Sequence, residues 1–337
     1  MAFAARITGT GSAYPERRVT NDDLAKSLAA KGLETSDEWI RERTGISERR
    51  IAIPGNEADQ NSSLGLRAAR RALEMAGKRP EDIDQIIYAT CSPDTLLPST
   101  ACWLQKKLGA TRAWGMDVNA ACSGFVFGLS TAENFIKAGS VKTSLVIGGD
   151  VLSAFTNWDD RTSCILFGDG AGAAVIERVA ADSKHRILSS HLGSEGELWD
   201  LFHIPAGGSN LEITPERFAK QEHKMQMKGR EIFKEAVRTL ADYAVRALET
   251  HGYKISDLDW IVPHQANIRI IEAVAKRVGV PMSKFVMNIQ TYGNTSSATV
   301  PTALDDAVRD KRIQPGHLVL LDVFGAGLTY GSVLLRW

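Results

Sequence analysis

The chain contains a copy of itself. Ala72-Leu73-Glu74-Met75-Ala76-Gly77, continuing to Asp82-Ile83-Asp84-Gln85-Ile86-Ile87, recurs as Ala247-Leu248-Glu249-Thr250-His251-Gly252, continuing to Asp257-Leu258-Asp259-Trp260-Ile261-Val262, at a constant offset of 175 residues. Self-similarity at a fixed offset constrains architecture before any motif is read. Each copy reads as an amphipathic helix closed by glycine, a turn with an Asp at a capping position, and an apolar run suited to a buried strand. A second helix with a basic, glycine-ended tail follows in both: Gln105-Lys106-Lys107-Leu108-Gly109 and Val274-Ala275-Lys276-Arg277-Val278-Gly279. Further on, Ser144-Leu145-Val146-Ile147-Gly148-Gly149-Asp150 and the glycine-rich run from Phe167 to Gly172 answer to His317–Asp322 and Phe324-Gly325-Ala326-Gly327. The expectation is an α/β protein of two halves, 1–180 and 181–337, with sheets covered on both faces and a pseudo-twofold axis between the halves. The Ser- and Gly-rich stretch Gly193–Asn210 reads as a loop excursion from the second half.

Bulk properties exclude several function classes. With 337 residues and 44% hydrophobic side chains the chain can bury a large core. Forty basic residues balance forty acidic ones, so no field of one sign recruits nucleic acid or an anionic membrane. The first residues lack the apolar run of an export signal, and no apolar stretch reaches the length of a membrane span. Cys91, Cys102, Cys122 and Cys164 are few and lack paired metal spacing, so a metal-free protein of a reducing, cytoplasmic compartment is expected.

Cys122 stands out among the four. In Gly115-Met116-Asp117-Val118-Asn119-Ala120-Ala121-Cys122-Ser123-Gly124 an apolar strand gives way to small residues and then to a helical pattern. A cysteine at a helix start is expected to have its thiol pKa lowered by the unpaired backbone N–H groups there. The other three read as small buried hydrophobes. His264, in Val262-Pro263-His264-Gln265-Ala266-Asn267, sits where the repeated strand ends. Asn294, in Tyr292-Gly293-Asn294-Thr295-Ser296-Ser297-Ala298, is read as following a strand too. A pseudo-twofold packing brings Cys122 from the first half to the other two from the second. Nucleophile, imidazole and amide suit nucleophilic catalysis, and spacing alone does not separate hydrolysis from acyl transfer.

The same motifs, Asn119–Gly124, Pro263–Asn267, Tyr292–Ala298 and Phe324–Gly327, with Thr35–Ile40 and Arg43-Thr44-Gly45-Ile46 near the start, resemble those of the β-ketoacyl-[acyl carrier protein] synthase III family over nearly the whole chain. The resemblance implies a thiolase-like five-layered αβαβα fold and a homodimer. It implies acyl transfer from acyl-CoA to Cys122, followed by condensation with malonyl-[acyl carrier protein]. His264 and Asn294 would then stabilise the enolate left by decarboxylation. The backbone N–H groups of Cys122 and Ala326 would form an oxyanion hole, and Phe324 would shield the malonyl carboxylate. No cofactor is implied, since acyl-CoA is a substrate. For CoA, the resemblance carries Trp39 and Arg161 to either face of the adenine, Arg43 to the phosphates and Asn267 to the pantetheine. The carrier protein would meet Gln265, Ala266, Asn267, Ile268, Arg269, Lys276 and Arg277 after the histidine, and Lys234 on an earlier helix. Leu97 resembles the position through which the partner subunit closes the acyl pocket.

Neighbouring families fit less well. A degradative thiolase would present a second cysteine in the C-terminal glycine-rich loop, elongating synthases pair the cysteine with two histidines, and hydroxymethylglutaryl-CoA synthases use a glutamate that no motif here supplies. A relative that primes a polyketide pathway, or transfers an acyl group to oxygen or nitrogen, shares the triad. A non-catalytic partner subunit would lack the nucleophile. The identity of the acyl primer is not fixed by these residues.

Overall fold

Alternation along the strands sorts the side chains into layers. A computed structural model describes residues 3–337. Strands β1 (Phe3–Ala13), β2 (Gln85–Ala89), β3 (Trp114–Val118), β4 (Thr143–Val151) and β5 (Asp169–Ala180) make one sheet in the order β1-β5-β4-β2-β3. Strands β6 (Arg186–Ser194), β7 (Trp260–Pro263), β8 (Leu318–Gly325) and β9 (Thr329–Arg336) make a second in the order β7-β8-β9-β6. On β2, Ile86 and Tyr88 face one core cluster while Ile87 faces another; on β8, Leu318 and Leu320 part from Val319, Leu321 and Val323 in the same way. Strands buried on both faces are apolar at most positions, which is why both repeats read as near-continuous hydrophobic runs.

Helices fill the spaces so defined. Helices α1 (Asn61–Ala76) and α2 (Thr100–Leu108) cover the outer face of the first sheet through Leu64, Ala68, Leu73, Ala101 and Leu104. Helix α3 (Gly124–Lys137) and helix α6 (Thr299–Arg309) lie between the sheets and pack Phe125, Leu129, Val300 and Leu304 against both. Helices α4 (Gly229–Glu249) and α5 (Ile268–Val278) cover the outer face of the second sheet through Ala244, Leu248, Ile271 and Ala275. The layers run α, β, α, β, α.

The two sheets share one pairing pattern. Strand β2 is parallel to β4, which is antiparallel to β5, which is antiparallel to β1; β7, β8, β9 and β6 repeat this order. The counterpart of β3 is reduced to a single parallel bridge, Ile261 to Phe285. That corrects the reading of Asn294. It follows the four-residue helix Ile289–Tyr292 rather than a strand, because the Asn288 N–H goes to the side chain of Gln265 rather than to a neighbouring strand.

The repeat reaches the backbone. Single turns, Ala121–Ser123 and Ser296–Ala298, lead into α3 and α6. Ala121 at φ 46° and Ser296 at φ 55°, again 175 residues apart, both adopt the left-handed conformation. A non-glycine residue held there costs about 1–3 kcal/mol, a strain that tends to occur where a site is being shaped. Gly148 in β4 permits the second turn to press onto the first sheet, since a Cβ there would lie 2.3 Å from the Ser297 carbonyl oxygen. Asp150 then joins the halves, accepting from the hydroxyls of Thr90 and Ser92 (both 2.8 Å), the Cys91 N–H (2.9 Å) and the Ser297 hydroxyl (2.8 Å).

The excursion after β6 is longer and more ordered than the Gly193–Asn210 loop expected. It continues past Asn210, and Phe202–His203 pairs with Gln226–Met227 in a small antiparallel ribbon. Phe202 and Met227 pack with Leu152, Phe167 and Met225, so the excursion covers one side of the cavity described next.

Candidate active site

Cys122, His264 and Asn294 line one cavity of about 410 Å³, with Phe324, Gly325 and Ala326 on the same wall. Each arrives from a different element. Cys122 sits in the turn before α3, His264 directly after β7, and Asn294 between the short helix Ile289–Tyr292 and the turn before α6. All three are nearly inaccessible, at 6%, 3% and 6% exposure.

Burial decides their protonation. It pushes the Cys122 thiol up to about 12, against the smaller opposing influence of the Ser296 hydroxyl. The expectation of a lowered thiol pKa is therefore overturned: loss of water outweighs a helix start that is only one turn from the sulfur. Burial also lowers the His264 imidazole to about 3, so it is neutral at physiological pH. The resting site holds a neutral thiol and a neutral imidazole rather than an ion pair.

The amide of Asn294 is oriented by its backbone surroundings. Its Oδ1 accepts the Ser296 N–H at 2.9 Å, which leaves the two amide N–H groups for the cavity. The Asn294 N–H donates to Leu166 O at 2.9 Å, and Gly168 N–H donates to Asn294 O at 3.0 Å. His264 Nδ1 lies 2.7 Å from Thr299 Oγ1.

The loop from Phe324 to Gly327 is seated directly against the backbone of Cys122. A Cβ on Gly325 would lie 2.8 Å from Cys122 N and 3.0 Å from Ser123 N, so only glycine permits this approach. Thr329 fastens the loop, its hydroxyl donating to Ala120 O at 2.8 Å, while the Ser123 hydroxyl donates to Thr329 O at 3.0 Å.

At the cavity mouth stand Trp39, Arg43 and Asn267. The Arg43 guanidinium lies 4.2 Å from the Trp39 ring centroid and that of Arg161 4.8 Å. The expected adenine sandwich is thus closed in this structure, since a ring between indole and guanidinium needs two contact distances, about 7 Å. Asn267 caps α5, its Oδ1 accepting the Arg269 N–H at 2.9 Å.

One expected docking residue is corrected. Gln265 is fully buried, its amide donating to Pro263 O at 2.8 Å and Val286 O at 3.1 Å, so it braces β7 and presents nothing to a partner. Arg277 is exposed but paired with Asp242 at 3.2 Å. Arg269, Lys276 and Lys234 are exposed, Ala266 and Ile268 partly so. Leu97 is 87% exposed and does not line this cavity.

Sequence reading missed Cys91. The reading of a small buried hydrophobe overlooks an acid, since its Sγ lies 3.4 Å from the Asp150 carboxylate. Its thiol is pushed up by burial and by the negative charge of Asp150, with Cys122 close enough to contribute. Asp150 closes the strand that follows Ser144, and its charge was visible there; its role as a junction was not.

Two family models meet this chain. The model of 3-oxoacyl-[acyl-carrier-protein] synthase III matches residues 116–196, and that of its C-terminal part matches residues 248–337. The beta-ketoacyl-[acyl-carrier-protein] synthase III of Methylococcus capsulatus is 48% identical over 337 residues, covering 100% of both chains. The chain belongs to the 3-oxoacyl-[acyl-carrier-protein] synthase III family. The fold agrees: a crystal structure of the synthase III of Aquifex aeolicus VF5 shares 42% identity at TM-score 0.89, covering 99% of this chain and 100% of that one. The priming β-ketosynthase of the R1128 polyketide pathway shares 34% identity at TM-score 0.89, covering 99% and 97%. The five-layered arrangement described above is therefore the thiolase-like fold that the resemblance implied.

Proposed function

We propose that this chain starts fatty acid chains, joining an acyl-CoA primer to malonyl-[acyl carrier protein] through an acyl group carried on Cys122. The observation that carries the reading is the meeting of Cys122, His264 and Asn294 in one cavity, with the Phe324–Gly327 loop against the nucleophile's own N–H. In the first half-reaction the Sγ–acyl bond forms, the acyl–CoA bond breaks, and the proton of the thiol leaves with CoA. The N–H groups of Cys122 and Ala326 receive the developing oxyanion. In the second, the malonyl C2–carboxylate bond breaks, carbon dioxide departs and its electron pair becomes an enolate. The amide of Asn294 and an N–H of His264 stabilise the enolate oxygen. C2 then attacks the acyl carbonyl, Cys122 leaves as thiolate and regains a proton. Phe324, 6% exposed, offers the carboxylate a nonpolar wall from which loss of charge is favoured.

CoA would enter past Trp39, Arg43 and Asn267, with Arg161 swinging off the indole to admit the adenine. An acidic carrier protein would meet Arg269, Lys276 and Lys234. A homodimer would bring Leu97 of one protomer toward the other's acyl pocket, and no helix of the described residues is long and apolar enough to cross a membrane. The halves 1–180 and 181–337 would act as supplier of the nucleophile and supplier of the donors. Intact mass spectrometry after exposure to a panel of acyl-CoAs tests the first step: wild type gains the acyl mass and Cys122→Ala does not. An acylated alanine variant overturns the assignment.

A further inference from the structure

We propose that Thr299 is the positioning residue that places the His264 proton on Nε2. The inference rests on the reading of His264 as a donor to the enolate oxygen. A neutral imidazole carries one proton, and its two nitrogens do opposite things: one donates, the other accepts. Which nitrogen donates is set by the hydrogen bond the other makes. Nδ1 faces Thr299 Oγ1 at 2.7 Å, its sole partner among the described residues, so Nε2 is the nitrogen left for the cavity that His264 lines.

The Thr299 hydroxyl has one proton and two acceptors within reach. Ser296 O lies 2.9 Å away and His264 Nδ1 2.7 Å away. Ser296 O already accepts the backbone N–H of Thr299 itself, as the turn Ser296–Ala298 closes. Turning the hydroxyl toward Nδ1 gives the ring lone pair a donor while the carbonyl keeps its backbone donor, and it leaves Nε2–H free for an acceptor in the cavity. The opposite arrangement gives the carbonyl a second donor and points an Nε2 lone pair into a cavity walled by Phe324, Ile165 and Ile270. A lone pair there would repel the enolate oxygen, whereas an Nε2–H donates to it. With Asn294 Oδ1 occupied by the Ser296 N–H, the chosen tautomer makes two donors converge from neighbouring elements. The strained Ser296 turn thus serves both, capping Asn294 and holding the Thr299 backbone so that its hydroxyl is free for His264.

The test separates the two half-reactions in Thr299→Val and Thr299→Ser, with His264→Ala as reference. Acyl loading is read by intact mass with acyl-CoA, decarboxylation by carbon dioxide release from malonyl-[acyl carrier protein], and the tautomer by nitrogen resonances of 15N-histidine-labelled enzyme, His264 being assigned by its absence in the alanine variant. Thr299→Val is expected to lose decarboxylation by about tenfold or more, a part of the 10²–10⁴ that a positioned proton donor supplies, while acyl loading and melting temperature hold. Thr299→Ser restores the rate, and Nδ1 resonates as an unprotonated nitrogen in wild type and Ser but not in Val. Unchanged decarboxylation in Val overturns the inference. So does a loss confined to acyl loading, which marks the reverse tautomer, and so does an equal loss of both half-reactions and of stability in Val and Ser. If His264→Ala itself keeps wild-type decarboxylation, the donor reading of the histidine falls first and Thr299 with it.

Discussion

A thiol held near 12 is ionised to about one part in 10⁵ at pH 7, and an imidazole held near 3 offers no resident positive charge to help it. Cys122 in the empty site is accordingly poised rather than activated, and its proton leaves only when a thioester is there to take its electrons. Alkylation by a neutral reagent such as iodoacetamide reports this directly. Its rate at Cys122, followed by peptide mass, should climb about tenfold per pH unit from 7 to 9 without levelling, because the thiolate fraction follows pH below the pKa. Levelling below pH 8 would show that the helix start outweighs burial after all. The exposed Cys102 supplies an internal comparison. The placement of Cys122 was legible in sequence, because small residues between a strand and a helix mark a cysteine brought to a turn. Its protonation was not, because burial arises from the second half of the chain, far away in sequence. Thr299 escaped for the same reason: its hydroxyl gains meaning only once His264 lies beside it.

Between elements, what matters is how closely the β8–β9 loop approaches the turn before α3. Gly325 to Cys122 N is backbone against backbone, and neither side has a flexible end that can give way. Gly325→Ala should push the loop outward by several tenths of an ångström and take the Ala326 N–H away from where the oxyanion forms. Misplacement of about 1 Å costs about 10²-fold when geometry does the catalysis, so this smaller shift should lower single-turnover acylation by about tenfold while the melting temperature falls little. Wild-type acylation in that variant would remove Ala326 from the oxyanion hole. The elements themselves were readable from the repeat, since both copies carry the same helix-to-strand pattern and the strands pair in the same order. Where the copies differ, sequence gave no warning. A four-residue helix stands where a strand was expected before Asn294, because one buried amide, Gln265, takes the backbone N–H that a ladder would have used.

For the whole molecule the proposal to be tested is that a chain of zero formal charge meets an acidic carrier protein through a basic patch. Such a patch would be local, and the ion pairing of its proposed members gives them an expected ranking. Arg277 spends its charge on Asp242, whereas Lys276 and Lys234 belong to no ion pair among the described residues. Arg269 donates to Glu42 O at 3.2 Å and so ties α5 to the helix Asp37–Thr44, which carries Trp39 and Arg43. Lys276→Glu is therefore the clean probe. It should raise the apparent KM for malonyl-[acyl carrier protein] by slowing encounter, leave malonyl-CoA turnover in place, and lose its effect as salt screens charges beyond a Debye length of about 8 Å. Arg277→Glu should do less, because the wild-type charge is already neutralised. Arg269→Glu should do more and differently, raising the KM for acyl-CoA as well, since it loosens the helix that bears the proposed CoA residues Trp39 and Arg43. Kinetics of the three variants with both malonyl donors at two salt concentrations check the ranking. Equal impairment with malonyl-CoA and the carrier protein in Lys276→Glu would show that α5 is an ordinary solvated face, and that the acidic partner is recognised elsewhere on the molecule.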